Sequence, residues 1–227
     1  MSSVSALPSR TSEATSLSAQ IRADIMPMHR QIEALPVSEA LVAGTIHPRI
    51  YVHLLTQLRA FHLRLDAFIE AHSDLLNFDH GILLRTQSLD RDLAALGASE
   101  PNEHALLPIT EEFASWMEDE DRRAPLALLG ALYVSEGSRM GSMILARRLA
   151  QGFGVEMKPG EGIDYHLSGL TDAPKRWQRV RESIERVAEQ HGATEHIRSA
   201  AVRTMEGFLS VYRDVGSYYS SLGGVEA

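Results

Sequence analysis

The spacing of the apolar residues constrains this chain more than any other feature. They recur at three and four residues along almost every long segment, the period of one face of an α-helix. Ile21, Ile25, Met28, Ile32 and Leu35 form one such stripe. Ile50, Leu54, Leu55, Leu58, Phe61, Leu65, Phe68 and Ile69 form a longer one. Val and Ile nowhere alternate with period two, so strands are not expected. No internal repeat is present. The spacing predicts an all-α, single-domain, multi-helix bundle of seven or eight helices, and 227 residues are enough to enclose a sizeable core.

Helix breakers place the elements. Pro27 either kinks the first helix or sits in a new first turn. Ser38 is the expected N-cap of a short helix to Val42. His47–Pro48 opens a long helix to about His72, and another spans about 81–96 before Gly97. A short acidic helix is expected over about 108–118. Pro125 opens the longest apolar stretch, read as one helix to about Gly152. The glycine-rich 152–169 segment is the main loop, and helices over 173–191 and 193–222 close the chain. Residues 1–16, rich in Ser and Thr, read as a disordered leader with no signal or transit pattern. The folded domain is expected over 17–222, with a short tail over 223–227.

Composition removes whole classes of function. The chain has no cysteine, which excludes disulfide scaffolds, Cys-ligated zinc, iron–sulfur clusters, thiolate-ligated haem and thiol nucleophiles. Its 22 basic and 30 acidic residues give a charge of −8, unsuited to general nucleic-acid binding. No run of about 18 apolar residues exists to cross a membrane, so a cytoplasmic location is expected.

The unusual chemistry lies in 133–142, Tyr-Val-Ser-Glu-Gly-Ser-Arg-Met-Gly-Ser. Gly137 and Gly141 are four apart, hence on one face, with Ser138 and Ser142 beside them. Each mid-helix glycine costs roughly 1 kcal/mol relative to alanine. The bulk-free stripe admits two readings, close packing of another helix or a planar cofactor lying on the backbone. His29 lies within an apolar face with Glu33 four residues on, a spacing that suits a metal-ligating imidazole steadied by a carboxylate. It equally suits an exposed contact, as does His62 with Asp66. His47, His72, His80, His104, His191 and His196 read as surface or capping residues. Arg22 lies two turns before His29. Lys175, Arg176, Arg179 and Arg181 form either a solvated face or a clamp for an anionic ligand.

Leu132-Tyr-Val-Ser-Glu-Gly-Ser-Arg-Met-Gly-Ser-Met-Ile-Leu resembles the distal-helix signature of the bacterial haem oxygenases, including the phytochrome-associated type. Ile21-Arg-Ala-Asp-Ile-Met-Pro-Met-His-Arg-Gln-Ile-Glu resembles that family's proximal helix, and Met205-Glu-Gly-Phe-Leu its terminal helix. The resemblance covers about 17–222. It implies haem as both substrate and cofactor, with iron ligated by His29 and supported by Glu33. Gly137, Ser138, Gly141 and Ser142 would lie over the distal face beside Tyr133, and Phe208 would line the pocket. Arg22 would reach one haem propionate, and one or more of Lys175, Arg179 and Arg181 the other. Ser138 stands where the mammalian enzymes carry Asp, and Ser142 where Gly or Ala is usual. The implied reaction consumes O2 and reductant and releases biliverdin, carbon monoxide and ferrous iron. No Gly-x-Gly-x-x-Gly fingerprint follows a strand, so electrons would come from an external ferredoxin-like donor or reductase. A bacterial phytochrome is a candidate recipient of biliverdin. A monomer or weak dimer is expected, with no nucleic-acid or membrane partner.

Two alternatives share the fold. A non-catalytic haem carrier or sensor would need a second strong ligand, for which Met140 and Met143 are the only distal candidates. A non-haem di-iron protein would need inward carboxylates and imidazoles, for which Glu33, His62, Asp66 and Glu136 could be assembled.

Overall fold

The computed structural model describes residues 16–76, 80–98, 105–168 and 171–221. The expected leader (apart from Ser16), the tail over 223–227 and His104 lie outside the described residues. Ten α-helices are present and no strand, among the described residues. They are α1 Leu17–Glu33, α2 Pro36–Ala43, α3 Pro48–Ala71, α4 Thr86–Ala95, α5 Pro108–Arg123, α6 Leu129–Ser138, α7 Ser142–Phe153, α8 Asp164–Leu167, α9 Ala173–His191 and α10 Thr194–Ser221. No described helix is long and apolar enough to cross a membrane.

The all-α expectation holds, and the helix count is higher than expected for identifiable reasons. The 125–152 stretch is not one helix. It begins as a 3₁₀ turn at Pro125–Leu128 and breaks again into 3₁₀ at Arg139–Gly141. The expected 81–96 helix starts only at Thr86, because the Asp66 carboxylate of α3 accepts the backbone N–H of Arg85 (2.9 Å) and of Thr86 (2.7 Å). That cap comes from 20 residues away, so local pattern could not place it. Ser38 is not an N-cap: Leu35 occupies that position, Pro36 opens the first turn, and Ser38 is buried inside α2. α5 runs on to Arg123, with Arg122 and Arg123 in its last turn, where cations complement the helix dipole.

Pro27 lies inside a continuous α1. Its missing N–H frees the carbonyl of Ala23, and both residues are exposed, so water can take the freed acceptor.

Two apolar clusters form the core. One gathers Ile21, Ile25, Phe61, Leu65, Leu132, Tyr133, Val180, Ile184 and Ile197; the other gathers Val37, Leu41, Ile50, Tyr51, Leu54, Leu149 and Val215. The long α3 and α10 contribute to both and so join them. α6 lies tight against α10: a Cβ at Gly130 would stand 2.1 Å from the Ile197 carbonyl oxygen. That approach fixes the position of α6, and hence of the bend that follows it.

Candidate functional site

The bend falls where the two singled-out glycines lie. Gly137 is in the last turn of α6, Gly141 in the 3₁₀ turn, and Ser142 begins α7. Of the two readings of the small-residue stripe, packing by another helix applies to Gly137, which faces the Trp177 side chain of α9, and not to Gly141. A Cβ at Gly137 would meet only the Trp177 ring, at 3.6 Å, and one at Gly141 would meet nothing within 4 Å. Beside Gly141, Met140 and Ile144 expose 47% and 61% of their surface, high for large apolar residues. The Ser138 hydroxyl donates to the Ser135 carbonyl at 2.7 Å, while Ser142 is buried.

α1 carries the candidate ligand. His29 Nδ1 lies 3.4 Å from Glu33 Oε2, a close approach that falls short of hydrogen-bond geometry. Nδ1 is buried although the side chain is 41% exposed. Among the described residues Nε2 has no partner, so it is the nitrogen left to meet a ligand. α1 is tied to α6 by Tyr133, whose hydroxyl donates to the Ser18 carbonyl at 3.0 Å. Burial pushes the Tyr133 hydroxyl above its ordinary pKa, while Arg181 and Arg22 pull it down and Glu185 pushes it up. Arg22 of α1 and Arg181 of α9 therefore both lie within electrostatic reach of the Tyr133 hydroxyl.

The basic cluster of α9 divides. Lys175 is exposed and faces Asp172 at 3.8 Å, and Arg179 is exposed. The Arg181 guanidinium lies 5.6 Å from the Trp177 ring, which meets the Tyr133 ring edge-on at 4.8 Å. Arg176 corrects both sequence readings of the cluster. It is neither solvated nor free to clamp a ligand, because it is 6% exposed and its Nε donates to Glu136 Oε2 at 2.8 Å. Glu136 Oε1 accepts from Arg139 Nη1 at 2.5 Å. Arg139 is also buried and donates to the carbonyls of Ile82 (3.0 Å) and Ser168 (2.7 Å). Burial, with Arg85 nearby, lowers the Arg139 pKa to about 10.

A second polar cluster lies behind the bend. His62 is fully enclosed, with Nε2 3.0 Å from the Tyr165 hydroxyl, so the expected exposed pairing with Asp66 does not form. Arg85, 1% exposed, stands 3.9 Å over the Tyr165 ring and donates from Nη2 to the Tyr165 carbonyl at 2.5 Å. The di-iron set does not assemble. Glu33 is 64% exposed, His62 turns to Tyr165, Asp66 caps α4, and Glu136 is taken by two arginines. No group of three metal-ligating side chains exists among the described residues.

Phe208 lies between the two core clusters, edge-on to Phe61 at 4.7 Å and to Phe113 at 5.9 Å. A groove of about 490 Å³ between the α2–α3 turn and the end of α7, lined by Thr45, Ile46, Leu96 and Phe153, contains none of the candidate residues. The roles of Glu136, Arg139 and Trp177 are not read from the sequence, where Glu136 figures only in the di-iron set. The signal for the first two was a charged pair three apart inside an otherwise apolar run.

A family model for Heme oxygenase matches residues 15–214. Similar solved structures include the heme oxygenase of Leptospira interrogans, at 17% identity and TM-score 0.77, covering 88% of this chain and 100% of that one. Heme oxygenase-1 of the cyanobacterium Synechocystis in complex with heme matches at 16% identity and TM-score 0.76, covering 92% and 96%. Heme oxygenase-2 of Synechocystis in complex with heme and NO matches at 18% and 0.78, covering 92% and 89%. No curated protein matches the chain in sequence.

Proposed function

The chain belongs to the haem oxygenase family, and on that premise we propose that it cleaves haem at a meso carbon to biliverdin, carbon monoxide and ferrous iron. The observation that carries this reading is the bend at Gly137–Gly141. It has open space over Gly141 and exposed apolar neighbours, and Tyr133 ties it to the helix that bears His29. A flat, largely apolar dianion fits these residues, because small backbone, an available imidazole nitrogen and two arginines are what such a ligand needs.

Haem is substrate and cofactor at once: when bound, its iron supplies the O2 chemistry and its own ring is opened. The chain's part is binding, orientation and electrostatics. His29 would offer Nε2 to the iron, with the Glu33 carboxylate 3.4 Å from Nδ1, near enough to steady the ring by a small rotamer change. Arg22 and Arg181, both of which influence the Tyr133 hydroxyl, are the basic residues to bind propionates; Arg181 is half-buried, whereas Arg22, Lys175 and Arg179 are exposed. The glycine backbone at the bend lets the protein approach the ring closely. With Ser138 bonded to its own helix, the distal side presents no strong acid, which disfavours unwanted proton delivery. Electrons come from an external donor. The same reading carries a cytoplasmic location and a monomer or weak dimer.

The test is haem titration followed by turnover with reductant under O2, with product identification. A stoichiometric Soret band that gives way to a biliverdin spectrum is expected, and His29→Ala should lose turnover. Haem retained without bilin would reassign the protein as a carrier.

A further inference from the structure

Glu136 has no role in the chemistry above, yet it is the most heavily tethered carboxylate near the bend. It is 1% exposed, and both oxygens are taken, Oε1 by Arg139 and Oε2 by Arg176. Arg139 extends the attachment to the Ile82 carbonyl of the 81–83 turn and to the Ser168 carbonyl after α8. Arg176 carries it into α9. The adjacent residues bring the same two elements together again, since a Cβ at Gly137 would stand 3.6 Å from the Trp177 ring. One turn further along α9 is Arg181, within 5.6 Å of that ring.

A buried Arg–Glu–Arg triad adds little net stability over apolar packing of the same volume. What it does supply is directional geometry, because guanidinium and carboxylate meet only along fixed lines. Here those lines run from the distal bend to α9. We propose that Glu136 is a positioning residue whose carboxylate, gripped by Arg139 and Arg176, sets the distance between the glycine backbone of the bend and the cationic edge bearing Arg181. With the glycines on one side of the ligand and the arginine at its edge, that distance decides how the ligand is rotated against the bend. The last consequence, choice of the meso carbon, rests on the haem reading. The attachment itself does not.

Trp177 reports the attachment without haem. In a Trp116→Phe background it is the sole tryptophan, and its acrylamide quenching measures its contact with Gly137. Glu136→Gln keeps the volume but leaves two guanidiniums facing each other without the charge between them. It should raise the quenching constant and shift Trp177 emission to longer wavelength, with far-UV circular dichroism unchanged. Arg176→Lys keeps the charge but loses the Nε bond, and should give an intermediate rise. Leu149→Ala, in the other core cluster, should destabilise the protein without moving either signal. With haem, reductant and O2, the background protein should give one predominant biliverdin isomer and both triad variants a changed isomer ratio.

Unchanged quenching in both variants overturns the proposal, as does a rise matched by Leu149→Ala. Raised quenching with an unaltered isomer ratio also overturns it, leaving the triad a purely structural tie. If Glu136→Gln fails to fold, Arg176→Lys decides alone by the same readouts. If the background protein forms no bilin, the haem reading fails, while the quenching comparison still decides the attachment.

Discussion

A single added methyl group separates the glycines of the 129–142 stretch. At Gly130 it would lie 2.1 Å from the Ile197 carbonyl oxygen and 2.6 Å from the Ala201 nitrogen, both backbone atoms of α10. Neither can move without shifting a helix. Gly130→Ala should therefore cost roughly 3 kcal/mol, the upper range for overpacking, read as a lower urea midpoint. At Gly141 the methyl meets nothing and the backbone is already right-handed. Gly141→Ala should leave the haem-free protein unchanged or up to about 1 kcal/mol more stable, yet slow bilin formation by filling the space over the bend. A large loss of stability in Gly141→Ala would contradict this division. The spacing of Gly137 and Gly141 was visible in the sequence. The need for Gly130 was not, because close approach belongs to a partner helix some 70 residues away. Arg176 fails in the same way: its neighbours Lys175 and Arg179 are exposed as a solvated face requires, and only the buried carboxylate opposite distinguishes it.

At the scale of elements, helical period and capping residues locate most helices, and long-range contacts set their ends. α3 and α9 lie where Pro48 and Gly192 suggest. α4 starts late because of a carboxylate from α3, and the 125–152 stretch bends where small residues remove side-chain support and Arg139 turns inward. The first helix offers a direct test. Pro27 interrupts the α1 ladder on its exposed side, three residues before the last turn that holds Glu33. Pro27→Ala restores the bond to the Ala23 carbonyl, worth more than the freedom it returns to the unfolded chain. The net gain should be about 1–2 kcal/mol, visible as a raised melting temperature of the haem-free protein. A fall instead would mean that α1 is held in a bent form that alanine cannot supply.

For the whole molecule, net charge conceals a small set of buried titrating groups that govern acid stability. Burial first, and Arg85 second, depress His166 from 6.5 to about 3. Burial, then Arg85 and Arg139, depress His62 well below 6.5. Burial raises Asp92 from 3.8 to about 6, against the bonds it accepts from the Tyr165 and Asp164 N–H groups. For a histidine depressed in the folded state, the unfolded chain takes the proton first. Its stabilising effect is complete above pH 6.5 and is lost as pH falls toward the folded value, by on the order of 1 kcal/mol per pH unit per histidine. Asp92 acts oppositely. Its folded pKa is raised, so its contribution is complete below pH 3.8 and is lost as pH rises through about 6. Between pH 6 and 4 the two histidines outweigh Asp92 together with the smaller opposing effect of Asp66, whose pKa burial also raises, so the urea midpoint should fall on acidification. His166→Phe keeps a ring in the stack with Tyr51, 6.2 Å away, and removes one titration. Its midpoint should fall less steeply between pH 6.5 and 4 than that of the parent. Asp92→Asn removes the opposing group and should make the fall steeper. Parallel pH slopes in parent and His166→Phe would show that His166 takes its proton in the folded state, and that burial and Arg85 do not hold it neutral.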